Sequence, residues 1–128
     1  MIVLNKLEIL RITALAAGDV DIIVSYSMTD NGNTLKYSAY ETLEGIGSVD
    51  IACNETIYNN ENPSGEARTI EYISITNRSA VTQTIEIDVV KYNSVTLGRV
   101  YQFSFEENET KVFNGSFWTS GEFGAQGD

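Results

Sequence analysis

The chain has no histidine, and it has only one cysteine and one proline among its 128 residues. Without histidine, the chain by itself can form neither a His-ligated zinc site nor a His-based catalytic triad. A single cysteine excludes an intrachain disulfide, and we interpret Cys53 as a small core residue on a strand. These absences remove several large classes of enzyme.

Basic residues are also scarce, because 8 Lys and Arg stand against 18 Asp and Glu, which gives a formal net charge of −10. Surfaces that bind nucleic acid normally need clustered Lys and Arg, so we expect no nucleic-acid partner. No run approaches the roughly 18–20 apolar residues of a membrane span, and we expect no membrane contact. Lys6, Glu8 and Arg11 interrupt the apolar N-terminus, which therefore predicts a first strand and not a signal peptide.

β-Branched and aromatic residues dominate the chain, and turn residues interrupt them at regular intervals. This pattern is typical of an all-β fold, and no window sustains the period of a helix. We predict a single antiparallel β-sandwich, jelly-roll or Ig-like, of about eight strands with no significant helix. We place the strands at Leu7–Ala14, Val20–Met28, Thr34–Thr42, Val49–Tyr58, Arg68–Thr76, Thr82–Tyr92, Thr96–Phe105 and Thr110–Asn114.

Two local patterns make the strand assignment more specific. Asn31-Gly32 lies between the second and third strands and predicts a tight hairpin turn. In the strand that follows the long loop, alternation places Ile73 and Ile75 on one face and Ile70 and Tyr72 on the other.

Two further patterns could be functional sites. The segment TDNGN, residues 29–33, offers oxygen ligands for calcium, but no bidentate carboxylate follows at a short spacing, and the hairpin explains every residue. A glycosidase needs two carboxylates that converge in a cleft. The acidic residues of the middle of the chain are instead spread along the sequence: Glu41, Glu44, Asp50, Glu55 and Glu61. We therefore expect a solvated acidic surface, no catalytic residue, no metal and no cofactor, and we predict that the chain is not an enzyme.

Seven tyrosines and four N-x-S/T sequons also require an explanation. The tyrosines lie on or beside predicted strands, where they either fill the core and the sheet surface or form an inter-subunit or carbohydrate-contacting face. We interpret the sequons, at Asn54, Asn77, Asn108 and Asn114, as turn and strand-edge residues, because no paired cysteines indicate a secreted glycoprotein.

The C-terminal residues are rich in glycine and aromatic side chains. We expect residues 1–114 to form the sandwich and residues 115–128 to form a tail or arm. Phe117, Trp118 and Phe123 either cap the open end of the sandwich or reach onto a neighbouring subunit. We favour the arm, because the glycines of the tail allow it to extend. These three residues, with Tyr101 and Phe103, are our predicted protein-contact residues.

The second half of the chain has a recognisable order of motifs. Ser74–Asn77, SITN, ends one strand, and Thr84–Val89 alternates in the next. An acidic turn, ENET, and Phe113–Gly115 follow, with Phe117-Trp118 close to the C-terminus. This layout resembles small structural proteins encoded among bacteriophage virion genes. Their strand of the form S-I-x-N precedes an alternating strand, a turn, an aromatic-Asp-Gly element and a terminal aromatic.

The resemblance implies a non-enzymatic virion component, such as a capsid decoration protein, a head-fibre base, or a neck or tail adaptor. We expect a homo-oligomer, with a trimer favoured, that contacts capsid or neck and tail proteins and is located in the virion after synthesis in the bacterial cytoplasm. The alternative is a carbohydrate- or receptor-binding module of a tail fibre, in which exposed aromatics such as Tyr40, Tyr58 or Trp118 form a shallow platform.

Overall fold

The computed structural model describes residues 1–5, 8–30, 32–51, 67–91 and 96–122. These residues form strands and turns, and none of them lies in a helix. The strands are β1 (Ile2–Leu4), β2 (Glu8–Ala14), β3 (Asp19–Asp30), β4 (Asn33–Glu44), β5 (Gly47–Ile51), β6 (Arg68–Asn77), β7 (Gln83–Lys91), β8 (Thr96–Phe105), β9 (Glu109–Phe113) and β10 (Trp118–Glu122).

The strands form two antiparallel sheets, which we call sheet A and sheet B. Sheet A has the order β10-β9-β6-β3-β4, and β1 pairs with the start of β6 on the same side as β9. Sheet B has the order β5-β2-β7-β8. The inner faces of both sheets supply one apolar core, so the predicted all-β sandwich is confirmed.

Alternation along the strands builds this core. In β7, Ile85 and Ile87 are fully buried, and Glu86 points to the opposite face between them. In β3, Val20 and Ile22 are likewise fully buried. Each such aliphatic side chain contributes about 1.5–3 kcal/mol when it leaves water. The two-residue period is therefore what fixes which face of each sheet packs inward.

The sequence did not predict β1 and β10. β1 has three residues, which is too few to show alternation. β10 has the sequence WTSGE, in which glycine and glutamate disfavour a strand. Pairing with β9 stabilises this strand, although its residues have a weak preference for strands. Every residue of β10 lies opposite a residue of β9, from Trp118 opposite Phe113 to Glu122 opposite Glu109.

The sheet consequently continues past residue 114, where we expected the sandwich to end. Residues 114–117 form a turn, and residues 118–122 return along β9 as the outermost strand of sheet A. This arrangement differs from the extended arm that we expected to begin at residue 115. Phe123 and the residues after it lie outside the described part of the chain, as do residues 52–66, which include Cys53, Glu55, Tyr58 and Glu61.

The predicted hairpin is present, since Asp30 lies opposite Asn33 and Gly32 has a φ of 82°. Our prediction that Ile70 lies on the face opposite Ile73 is wrong. Ile70 is fully buried like Ile73, although the two residues are three apart. The register between β3 and β6 shifts at Ser25 and Tyr26, and this bulge moves Ile70 to the inner face.

Asn77 joins the two sheets at one end of the sandwich. It is fully buried at the end of β6. Its Nδ2 donates hydrogen bonds to the carbonyls of Val81 (2.8 Å), Phe105 (3.3 Å) and Glu106 (3.1 Å). Its Oδ1 accepts from the backbone N–H and the hydroxyl of Ser79, at 3.0 and 2.7 Å. One side chain therefore connects the β6–β7 turn to the end of β8 in the other sheet.

Candidate interaction surface

Three of the predicted contact residues, Tyr101, Phe103 and Trp118, pack together at the side of the sandwich where β8 approaches β9 and β10. The Trp118 ring lies 5.2 Å from Tyr101 and 4.8 Å from Phe103, measured between ring centroids. Phe113 lies 5.4 Å from Trp118, and Phe105 lies 6.3 Å from Phe103. We call these five residues the aromatic cluster.

The aromatic cluster belongs to the inner faces of the sheets. Phe103 lies opposite Ile85 and Tyr101 opposite Ile87, and both of these isoleucines are core residues. Phe113 is fully buried, while Trp118 is half-buried and packs against the core. The indole Nε1 of Trp118 is buried and has no hydrogen-bond partner among the described residues. These rings therefore close the side of the sandwich, and packing holds Trp118 in place.

A Lys–Glu pair lies beside the aromatic cluster. Lys111 Nζ lies 3.0 Å from Glu109 Oε2 and 5.3 Å from the centroid of the Phe105 ring. Burial raises the pKa of Glu109, but hydrogen bonds from the Glu106 N–H and from Lys111, with the charge of Lys111, outweigh burial and leave that pKa below its usual value. The carboxylate therefore remains charged at neutral pH.

Phe117 is the predicted contact residue that the structure places at the surface, with 59% of it exposed. It lies in the turn between β9 and β10. Asn114 Oδ1 accepts hydrogen bonds from the N–H groups of Ser116 and Phe117, at 2.9 and 3.0 Å. Gly115 has a φ of 99°, and a Cβ there would lie 3.3 Å from the Glu71 carbonyl oxygen. These contacts define the backbone of the turn that carries Phe117.

The outer face of sheet B carries opposite charges in a row across its four strands. Asp50, Arg11, Asp88 and Arg99 lie opposite one another in that order, on β5, β2, β7 and β8. Arg11 makes two hydrogen bonds to Asp50, at 2.7 and 3.1 Å. Arg99 contacts Asp88 at 3.0 Å and Glu86 at 3.1 Å. We call this the ionic row; its charges are neutralised within the chain.

The outer face of sheet A, in contrast, has no charged side chain at its centre. Its centre is formed by six uncharged residues of β3, β4 and β6, which we call the tyrosine face: Ile23, Ser25, Ser38, Tyr40, Tyr72 and Ser74. Ile23 lies opposite Tyr40 on one side and Ser74 on the other. Tyr40 is 62% exposed, and Ile23 and Tyr72 are also exposed. Sequence reasoning noted the tyrosines but could not assemble this face.

Charged pairs lie at the borders of the tyrosine face. Lys36 contacts Glu71 at 3.3 Å, and Arg78 contacts Asp21 at 3.2 Å. An uncharged centre with aromatic side chains and a charged rim is the usual anatomy of a protein–protein interface. The tyrosine face is therefore the strongest candidate interaction surface in the described part of the chain.

Two acidic residues that the sequence analysis considered, Asp50 and Glu44, lie in different surroundings from each other. Asp50 is bound by Arg11, and the exposed Glu44 lies opposite Asp19 at the end of the β3–β4 hairpin. Within the described residues, no group of three or more Asp, Glu or Cys side chains is placed to hold a metal ion.

Among the residues that the structure describes, none forms a helix with the length and hydropathy that a membrane crossing requires. A scan against protein-family models, a search of curated proteins and a search of solved structures each returned no match. We therefore infer a function from the surfaces of this chain and from the motifs in its sequence.

Proposed function

We propose that the chain is a non-enzymatic structural protein of a bacteriophage virion. It assembles on the capsid or the head–tail surface, as a decoration or cement protein, a head-fibre component or a neck component. The tyrosine face is the observation that carries the proposal, because it is an exposed, uncharged, aromatic surface on three paired strands. The motif order from Ser74 to Trp118 supports the virion setting.

The electrostatics of the chain explain why contact would occur on this face. The chain has a net charge of −10, so most of its surface repels other acidic surfaces. The tyrosine face has no charged side chain at its centre and can be covered without the desolvation of an ion. Covering the ionic row would instead remove water from four charged residues that already have partners. The cost of association is therefore lower on sheet A.

Both classes of partner predicted from the sequence fit this surface. A second copy of the chain would give the expected homo-oligomer, and a capsid, neck or tail protein would give attachment to the particle. The trimeric order stays a prediction. Tyrosine is enriched where such contacts contribute most of the binding energy, so Tyr40 and Tyr72 are the residues that we expect to anchor the partner.

Mass spectrometry of purified particles tests the proposal directly. We expect the chain in stoichiometric amounts in particles produced from the genome that encodes it. A folded variant with Tyr40→Asp and Tyr72→Asp should be lost from those particles. The matched control, Gln102→Asp combined with Ser104→Asp, adds two charges to the exposed outer face of sheet B and should leave incorporation unchanged. If the wild-type chain is absent from purified particles, the proposal is wrong.

The second candidate is the carbohydrate- or receptor-binding module. The exposed ring of Tyr40 beside the hydroxyls of Ser38 and Ser25 favours it, because sugars stack on aromatic faces and bond to nearby polar groups. Ser25 and Ser38 already lie 3.1 Å apart on this surface. A glycan array probed with the purified chain tests this function, and Tyr40→Ala should abolish any binding. No binding to any glycan or host cell would leave the structural role as the better account.

A further inference from the structure

β4 is the last strand of sheet A, and no described strand pairs with its outer edge. It runs for 12 residues without proline or glycine, and only Leu43 among them is buried. Its register with β3 is continuous along the whole strand. Proteins that remain monomeric commonly protect such an edge by a short strand, a proline, a bulge or charged side chains. β4 has only the charged side chains, and they are of both signs.

The backbone groups at this edge can be identified from the ladder. The Arg78 N–H donates to the Asp19 carbonyl at 2.8 Å, so the odd residues of the first part of β3 bond to β6. Hydrogen-bonded pairs alternate along an antiparallel ladder, so the even residues of β3 bond to odd residues of β4. The N–H and C=O groups of Lys36, Ser38 and Tyr40 therefore point to the open edge.

The charges of β4 are distributed unevenly along the strand. The basic residue, Lys36, lies in its first half, and the acidic residues, Glu41 and Glu44, lie in its second half. Glu44 is opposite Asp19, another acidic residue, so this end of the hairpin would gain from a nearby cation. An antiparallel copy of β4 places Lys36 beside the acidic half in every register near the centre of the strand. A parallel copy in the same register would place like charges together.

We propose that two copies of this chain associate through β4, antiparallel and about a two-fold axis near Ala39, so that sheet A continues from one molecule into the other. The charge complementarity of β4 with itself identifies a second copy as the occupant of the edge. Leu35 and Tyr37, which are 38% and 39% exposed, add apolar area near the same contact. A two-fold contact closes at two copies, so the inference departs from the trimer expected from the sequence.

Edge pairing would have a consequence for the surface described above. Tyr40 lies one residue from the proposed axis on the outer side of the sheet, so the two tyrosine faces would meet and form one larger surface. The inference deepens the self-association in the proposed function, but its chemistry does not depend on where the protein resides.

Charge reversal with light scattering after size exclusion tests the pairing. The wild-type chain should be a dimer. Lys36→Glu and Glu44→Lys should each raise the dissociation constant by about tenfold, because each creates like-charge contacts twice in the dimer. Glu44→Lys does so although it reduces the net negative charge, which would otherwise favour association. The double variant should restore the wild-type dissociation constant to within about threefold. A double variant as weak as the single variants would overturn the inference.

Cysteine cross-linking tests the position of the axis in a Cys53→Ser background. Ala39→Cys places a thiol directly opposite its counterpart on the axis, and we expect a disulfide-linked dimer under mild oxidation. Thr34→Cys is the control on the same strand. Its two thiols would be separated by about ten residues of strand, roughly 30 Å, and should not cross-link.

The other outcomes are distinguishable. A monomer at all concentrations, or efficient cross-linking at position 34, refutes the two-fold contact. A trimer that is unaffected by changes at Lys36 and Glu44 also refutes β4 pairing but agrees with the proposed function. A β4-dependent dimer that is absent from virions would support the pairing and refute the proposed function.

Discussion

The two outer faces of the sandwich differ in how they use polar residues. On sheet B, Arg11 and Arg99 hold carboxylates within the chain, and Asp88 is only 8% exposed. On sheet A, Tyr40, Ile23 and Tyr72 leave apolar and aromatic surface in water. Both faces belong to antiparallel sheets that cover the same core. The charges of the ionic row are therefore paired within the chain, whereas the tyrosine face leaves apolar and aromatic area exposed.

We expect folding stability and association to depend on different faces of the sandwich. Groups that are already paired contribute to the free energy of folding, and covering them again with a partner adds little. Groups that remain exposed contribute little to folding but supply apolar area to a contact. Substitutions on sheet B should therefore lower stability, and substitutions on sheet A should lower association.

The largest effect should come from Asn77, which connects both sheets. Asn77→Ala leaves three backbone carbonyls without their donor, and we expect a loss of roughly 2–4 kcal/mol in the free energy of unfolding. Urea denaturation followed by circular dichroism measures this loss. Asn77→Asp keeps the acceptor for Ser79 but buries a carboxylate against the same carbonyl oxygens, so we expect it to be at least as destabilising. A small effect of both variants would show that the two sheets are stable without this connection.

The next effect should occur on sheet B. Asp88→Ala removes the carboxylate that Arg99 Nε contacts at 3.0 Å, and we expect a loss of about 1–2 kcal/mol in stability with unchanged association. The comparison variant is Asp21→Ala, whose partner Arg78 is on the border of the tyrosine face. Its more exposed bridge should contribute less than about 1 kcal/mol. Equal losses would remove the distinction between the faces.

On sheet A, we expect the reverse. Ile23→Ser combined with Tyr40→Ala should change stability by less than about 0.5 kcal/mol, because these side chains lie at the surface. The same variant should weaken association, measured by analytical ultracentrifugation. Leu15→Ser, which changes an exposed apolar residue in the β2–β3 turn, is the control and should alter neither. If the control weakens association equally, the tyrosine face has no special role.

The smallest effect should arise at the side of the sandwich, from the pair of Glu109 and Lys111. The pKa of Glu109 is lowered by folding, so the carboxylate contributes stability that is complete above the usual pKa of glutamate, about 4.3. This contribution is lost as the pH falls through the lowered pKa of the folded state. The difference in stability between wild type and Glu109→Gln should therefore be largest at neutral pH and vanish in acid. A constant difference would mean that charge is not its cause.

The sequence predicted the strands whose alternation or turn residues are strong. β8 was placed at its observed bounds, and the Asn31-Gly32 hairpin was placed between the correct strands. β1 and β10 were missed because tertiary pairing, which a local pattern does not contain, forms them. The bulge that turns Ile70 inward was missed for the same reason.

The candidate surface was only partly predictable. Tyr101 and Phe103 were chosen because they are aromatic, but their alternation with Gln102 and Ser104 already indicated an inward face. The tyrosine face combines residues 23, 40 and 72, and only the register of three strands brings them together. The available signal was that Tyr40 alternates in phase with Lys36 and Ser38, on the polar side of its strand.

The buried position of Asn77 has a practical consequence for producing the protein. Asn77, Arg78 and Ser79 form an acceptor sequence for N-glycosylation, and a eukaryotic secretory pathway modifies such sequences on nascent chains before they fold. A glycan on this amide would occupy the nitrogen that donates to Val81, Phe105 and Glu106, and a sugar cannot fit in a fully buried site. Secretion from eukaryotic cells should therefore yield misfolded, glycosylated protein, whereas bacterial cytoplasmic expression should give the native fold.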